Sequence, residues 1–226
     1  MLHFAGGNVY SYKSIQDLLK EKYDVVVLEL PGRGNRMDEE LLIDMKDVTE
    51  DIYSQILPYA MDKDSNYVIY GHSMGGLVGY LTSVMLEENE IPLPKHLIVS
   101  GSKAPSVKTK VMKHNLPLQE FKEHLRAYNG TPSEIIENDD FFEFYEPILR
   151  ADFQVIEKHN LDKKYKLNIP IVAFRGEDEN FSKKDFEKWK KFSNKSVKTH
   201  YCNGNHFFIF KHKYNFVEKI IDEAIY

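Results

Sequence analysis

The sequence predicts an α/β fold built on a mainly parallel, doubly wound sheet with a helical insertion. Three observations carry this. Short apolar runs alternate with segments of helical spacing along most of the 226 residues, the order that yields a parallel sheet covered on both faces. Tyr67 to Leu77, YVIYGHSMGGL, reads as buried strand, glycine-rich turn and helix start in quick succession. About 65 residues of helical pattern then interrupt the alternation between Ser100 and Ile169, where a plain crossover needs only roughly 12 or more.

Met1 to Phe4 reads as the end of a first strand that runs into Ala5-Gly6-Gly7-Asn8. Tyr12, Ile15, Leu18 and Leu19 mark one face of a helix. Val25 to Leu30 is a near-continuous apolar run, expected to be a buried strand, and Pro31-Gly32 stops it. The charged loop that follows carries Arg33 and Arg36, and Met45, Val48, Ile52 and Ile56 space the next helix. Behind the strand at Tyr67 to Tyr70, a helix is marked by Leu77, Leu81, Val84 and Met85. Three more strands are predicted at Leu97 to Ser100, Ile169 to Phe174 and Val197 to Cys202. Phe186, Trp189 and Phe192 fit a helix between the last two, and Tyr214, Val217, Ile220, Ile221 and Ile225 fit a closing helix.

The insertion, residues 103–166, contains an acidic helix start at Asp139-Asp140. Phe141, Phe144, Tyr145, Ile148 and Leu149 are expected to share one face of that helix. Its place above the C-terminal edge of the sheet, where such folds bind ligands, makes it a candidate lid. The whole chain, 1–226, is expected to form one domain with this lid inside it.

Composition narrows the classes. A net charge of −5 gives no footing for a nucleic-acid surface. The single cysteine, Cys202, excludes an intramolecular disulfide. No signal peptide opens the chain, and no apolar run reaches the ~18 residues of a membrane span. The expectation is a cytoplasmic protein.

The chemistry centres on Gly71-His72-Ser73-Met74-Gly75, a G-x-S-x-G turn between strand and helix. That context makes it a nucleophile elbow: the turn is so sharp that side chains two residues either way of the serine collide. Ser73 is the candidate nucleophile. The N–H of Met74, at a helix N-terminus, can face a developing oxyanion, and the tight bend at Ala5 to Asn8 can offer a second N–H. A serine hydroxyl needs a base, and in this order of elements the base follows the last strand. His206, in Asn203-Gly204-Asn205-His206-Phe207, stands there. A carboxylate is expected after an earlier strand. Ser100 to Ser106 holds none, whereas Arg175-Gly176-Glu177-Asp178-Glu179-Asn180 holds three in a row. A metal site from His200, Cys202 and His206 has no completing ligand at a familiar spacing.

Four segments, in order, resemble the type II thioesterases that accompany nonribosomal peptide and polyketide synthases. They are Phe4-Ala5-Gly6-Gly7, Leu30 to Arg36 (LPGRGNR), Gly71 to Gly76 (GHSMGG) and Gly204-Asn205-His206-Phe207-Phe208. The resemblance covers nearly the whole chain. It implies an α/β-hydrolase core with a helical lid, Ser73 as nucleophile, His206 as base, and the Ala5 and Met74 N–H groups as oxyanion hole. It also implies an editing role: hydrolysis of wrong or stalled acyl groups from the phosphopantetheine arm of a carrier domain. No metal or diffusible cofactor is then expected, since the partner supplies the phosphopantetheine. The family commonly has several more residues ahead of its first strand, so this N-terminus is expected to be minimal or clipped. Its acid loop is about one residue longer, which leaves Asp178 and Glu179 in competition. Counting from Gly176 favours Glu179. Counting back from a helix start near Ser182, the usual residue type, and the smaller rotamer entropy of aspartate select Asp178, with Glu177 third. Partner carriers of the family are usually acidic, so Lys103, Lys108, Lys110 and Lys113 are candidate docking residues. The alternative activity is that of a carboxylesterase or lipase on small oxygen esters, because the same triad serves both. A binding protein without hydrolytic activity is disfavoured by the intact Ser/His pair.

Overall fold

Four of the predicted strands pair into one parallel sheet in the computed structural model, which describes residues 1–109, 111–128, 131, 133–161 and 165–225. They are β1 (Ile69–His72), β2 (Leu97–Ser100), β3 (Ile171–Gly176) and β4 (Val197–Cys202), side by side in that order. Ile69 pairs with Leu97, Leu97 with Ile171, and Ile171 with Val197. The in-register start brings the loops that follow all four strands to a single edge.

The first two predicted strands are reduced to single bridges. Leu2 bridges Leu28 on one side and Gly71 on the other, both parallel. The Leu2 N–H donates to the Tyr70 carbonyl at 2.8 Å, and the Leu28 N–H to Met1 at 3.0 Å. The Val25 to Leu30 run is therefore an outer edge rather than a buried strand. Leu28 and Leu30 are buried while Val26 is 40% exposed. Leu2 is also the switch point of the sheet: the chain leaves it outward to Leu28 and returns on its other side at β1. Loops that part at such a point leave a crevice for ligand.

Successive side chains along a strand face opposite layers. Leu97, Val99, Ile171 and Ala173 join the core beneath α2 (Met45–Ala60) and α3 (Met74–Glu88). Ile98, Val172 and Phe174 join the other core, with Ile15 and Leu19 of α1 (Lys13–Leu19) and Phe216, Val217 and Ile220 of the closing helix (Lys213–Ile225). All four predicted core residues of α2 are buried. Phe186, Trp189 and Phe192 are fully buried as well. Their spacing of three suits what forms there, α7 (Lys183–Phe186) running into a 3₁₀ turn over Glu187–Lys191.

The insertion folds as α4 (Leu118–Tyr128), α5 (Ser133–Glu137) and α6 (Asp139–Lys158), around a cluster of its own. Asn138 caps α6, its side chain accepting the Phe141 N–H at 3.1 Å. The expected α6 face is half right. Leu149 and Ile148 are buried, but Phe141 and Phe144 are 61% and 60% exposed. Phe142 takes the inner place, since residues 142, 145 and 149 line up at helical spacing over α4 and α5. Among the described residues, no helix is long and apolar enough to cross a membrane.

His3 ends the first run, buried, with Nδ1 3.0 Å from the Phe4 carbonyl oxygen. Burial first, and then the charge of Arg33, lower its pKa to about 4. The folded state thus refuses a proton that the unfolded chain accepts near 6.5. The stability this contributes is complete above pH 6.5 and is lost as the pH falls toward 4. At pH 5 the loss amounts to about 2 kcal/mol. Urea unfolding at pH 7 and pH 5 checks this: His3→Gln should lose that much less stability than wild type between the two.

Candidate active site

The elbow is built from backbone contact. A Cβ on Gly71 would lie 2.1 Å from the Gly75 carbonyl oxygen, and one on Gly75 would lie 2.3 Å from that of Leu2. Neither position admits a side chain. Ser73, between them, sits at φ 54 and ψ −114, a strained conformation for a residue with a Cβ. Its N–H is held by the Ser100 carbonyl at 2.8 Å. Its side chain is half-buried at the N-terminus of α3. Met74 opens α3, so its N–H is among the first-turn amides that find no acceptor within the helix.

The same packing sets the first loop against the elbow, because a Gly75 Cβ would also come within 2.8 Å of the His3 carbonyl oxygen. Phe4 to Gly7 then closes a turn, with the Gly7 N–H donating to Phe4 at 2.8 Å. Ala5 occupies its second position.

His206 follows β4 and is 5% exposed. Its ring packs edge-on to Phe207, with centroids 4.9 Å apart, and lies 4.9 Å from the ring of His72. Its Nδ1 is 2.8 Å from Glu179 Oε2, and the Glu179 side chain is 1% exposed. A carboxylate accepts here, so Nδ1 carries the proton and the lone pair of the neutral ring lies on Nε2. This tautomer is the one that can take a proton from a hydroxyl.

The acid facing His206 is therefore Glu179, and the preference for Asp178 is corrected. Two bonds decide it. The Glu177 N–H donates to Cys202 at 2.8 Å and the Asp178 N–H to Gly204 at 3.0 Å. They extend the pairing of β3 with β4 past Gly176 and leave Asp178, like Glu177, exposed. Beyond them the chain turns, and Glu179 is the first carboxylate directed inward. Arg175 holds that turn and was missed in the sequence. Its guanidinium, on a residue 3% exposed, donates to the carbonyls of Gly176 at 2.6 Å and Phe181 at 2.7 Å, with Glu177 at 3.1 Å. A sequence signal existed: an arginine directly behind the fully apolar Ile171 to Phe174.

His72 is fully buried, with Nδ1 2.8 Å from Ser100 Oγ, which lies 2.7 Å from the Tyr70 hydroxyl. Burial, and then the charge on His206, hold its pKa well below the ordinary value. It stays neutral and packs beside the base. His200, considered as a metal ligand, faces Glu223 at 3.0 Å instead. Among the described residues, no three His, Cys, Asp or Glu side chains gather as a metal site.

The two arginines of LPGRGNR have separate partners. Arg33 pairs with Asp152 of α6 inside the protein. Arg36 bonds Asp51 of α2 through two contacts of 2.8 Å, and Glu39. Between this loop and α6 lies an open groove of about 520 Å³, with Gly32, Met37, Leu41, Phe144, Pro147 and Ile148 among its walls. Of the candidate docking lysines, Lys108 is exposed and Lys103 stands 5.9 Å over the Phe181 ring. Lys113 Nζ is 3.2 Å from His124 Nδ1, turned into the insertion, and Lys110 lies outside the described residues.

The sequence and the fold are similar to those of known proteins. The chain is 32% identical to linear gramicidin dehydrogenase LgrE of Brevibacillus parabrevis, over 92% of this chain and 80% of that one. It is 28% identical to the medium-chain S-acyl fatty acid synthase thioesterase of Rattus norvegicus, covering 98% and 85%. The structure of RedJ, a thioesterase from the prodiginine biosynthetic pathway of Streptomyces coelicolor, superposes with a TM-score of 0.89 at 27% identity, over 97% of this chain and 87% of that one. The thioesterase domain family model matches residues 1–224, and the chain belongs to that family.

Proposed function

We propose that this protein is a serine thioesterase that hydrolyses acyl, aminoacyl or peptidyl thioesters from the phosphopantetheine arm of a carrier protein. This is the editing role of type II thioesterases in nonribosomal peptide or polyketide synthesis. The observation that carries the reading is the buried 2.8 Å bond between Glu179 and His206 Nδ1 beside a strained serine elbow, in a chain of the thioesterase family. The relatives are named for linear gramicidin, for fatty acid synthase and for prodiginine biosynthesis, and so differ in product. The name of LgrE speaks of a dehydrogenase. A serine elbow with a paired histidine suits acyl transfer and not hydride transfer, which supports the hydrolytic reading here.

Ser73 Oγ attacks the thioester carbonyl carbon while its proton passes to His206 Nε2. The oxyanion is met by the Ala5 and Met74 N–H groups. The C–S bond then breaks, and the thiol leaves with the proton from His206. Water, deprotonated by His206, attacks the acyl-serine; the C–O bond breaks, the acid departs, and Ser73 regains its proton. Glu179 holds the productive tautomer and stabilises the imidazolium. This chemistry draws on no metal or diffusible cofactor. The groove beside α6, walled by Met37, Leu41, Phe144 and Ile148 together with Asp38 and Glu39, is the proposed seat of the acyl chain.

Ser73→Ala should retain the fold and lower acyl-pantetheine hydrolysis by several powers of ten; a residual rate above about a hundredth of wild type contradicts the role of Ser73. Parallel rates on p-nitrophenyl esters of equal chain length separate this activity from that of a small-ester esterase.

Glu179→Gln should lower kcat by about 10⁴, the loss typical of a triad histidine left in the wrong tautomer. Asp178→Asn should stay within about threefold of wild type, as expected of an exposed side chain outside the triad. Steady-state kinetics on acyl-pantetheine with natively folded variants reads both.

Lys103 and Lys108 are proposed to meet an acidic carrier. Reversing both charges should raise KM several-fold for carrier-bound substrate, increasingly at low salt, and leave acyl-pantetheine unaffected. An equal effect on both substrates indicates damage to the pocket instead.

A further inference from the structure

The ion pair between Arg33 and Asp152 stands outside this reaction yet grips the loop that serves it. The two side chains are 3% and 1% exposed. Arg33 Nη1 donates to Asp152 Oδ2 at 2.6 Å and Nη2 to Oδ1 at 2.8 Å. Asp152 Oδ2 also accepts the N–H of Gly6 at 2.7 Å. Arg33 Nη1 lies 3.4 Å from the Gly7 carbonyl oxygen. A carboxylate of α6 and a guanidinium of the LPGRGNR loop thus hold the chain on both sides of the Gly6–Gly7 peptide.

The turn they hold has two possible forms. Gly6 is its third residue, at φ 76, the value that a type II turn requires. In a type I turn, which is commoner, the peptide between the second and third residues is turned over and its N–H and C=O exchange sides. The closing bond from Gly7 to Phe4 is compatible with both. What distinguishes them is the Gly6 N–H, and a carboxylate is the strongest acceptor a side chain can offer it. A flip would bring the Ala5 carbonyl oxygen toward Asp152, negative against negative. The second residue of this turn is Ala5, whose N–H, the proposed oxyanion donor, lies in the Phe4–Ala5 peptide. A flip leaves that peptide as it is, but the bond from Asp152 to the very next amide fixes where the turn that carries it sits. Such a donor is effective only when fixed in advance to within a fraction of an ångström.

We propose that Asp152 is a positioning residue of the oxyanion hole: from helix α6 it anchors the Phe4–Gly7 turn, through the amide next to the donor, at a fixed place beside the elbow. Arg33 neutralises the carboxylate, so that no net negative charge stands behind a site where negative charge develops. The inference rests on the reading of Ala5 as a donor in thioester hydrolysis. It also makes α6 more than a cover, since displacing the helix would withdraw the acceptor from the turn.

Two double variants test it. Arg33→Gln with Asp152→Asn keeps a polar pair and an acceptor oxygen for the Gly6 N–H. Arg33→Met with Asp152→Leu fills the space and offers Gly6 nothing. For acyl-pantetheine, kcat should fall at least about 10²-fold in the apolar pair and less than about tenfold in the polar pair, with KM within about threefold of wild type in both. Equal kcat in the two folded variants overturns the proposal, as does a KM that rises in step with the loss. Should the apolar pair fail to fold, hydrogen exchange at the Gly6 amide decides in the wild type and the polar pair. Strong protection in both supports the strut, and exchange at the rate of an open loop overturns it. A wild type that hydrolyses no acyl-pantetheine refutes the thioesterase reading itself, and the exchange measurement still judges the turn.

Discussion

The contact on which the site depends is backbone pressed against backbone at Gly71, Gly75 and Leu2. Carbonyl oxygens lie 2.1 and 2.3 Å from where methyl groups on the two glycines would be. This approach brings the start of α3 directly over the switch point of the sheet. Ser73 takes an unfavourable φ of 54 as a result, at a cost of order 1–3 kcal/mol. The surrounding structure over-determines that conformation. β1 and β2 are buried along their whole length, and the Ser73 N–H is tied to Ser100. Nucleophile and first loop are thereby placed relative to each other by main chain alone, before any side chain contributes.

What could be read in the sequence was whatever depends on neighbours in the chain. The elbow needs only residues 71 to 75, and the inner face of α2 only a helical period, so Met45, Val48, Ile52 and Ile56 were found and are all buried. The apolar runs at Met1 to Phe4 and Val25 to Leu30 were visible as well, but not that their pairing shrinks to a single bridge, Leu2 with Leu28. Pairing belongs to two segments at once. The choice between Asp178 and Glu179 escaped for the same reason. It turns on carbonyls of Cys202 and Gly204 that capture two successive N–H groups. Side-chain length, the argument that favoured aspartate, is secondary to which residue the ladder leaves facing inward. In α6, Phe141, Phe142 and Phe144 offer two possible inner faces, and only the position of α4 and α5 chooses Phe142. The LPGRGNR segment announced itself by its arginines, while one partner, Asp152, lies 119 residues on.

The buried charges near the catalytic edge share one task. Regular strands end at His72, Ser100, Gly176 and Cys202, and the irregular loops beyond them must satisfy their amides without a ladder. An unsatisfied buried amide costs about 1–3 kcal/mol. Glu29 accepts the N–H groups of Val9 at 3.0 Å and Asn35 at 2.7 Å. Asp152 accepts that of Gly6, and Glu157 those of Lys113 at 2.8 Å and His114 at 3.1 Å. Arg175 does the complementary work on carbonyls around Glu179.

Ion pairing alone does not account for this arrangement. A buried pair roughly breaks even against apolar residues of the same volume, whereas removing one partner costs about 3–5 kcal/mol. Nothing in that balance favours charge over leucine and methionine at positions 33 and 152. The loop amides do, because no apolar side chain can accept them. The buried carboxylates thus convert irregular backbone into fixed structure around Ser73 and His206. Their contribution is order in the loops, and global stability follows from the two cores on either side of the sheet.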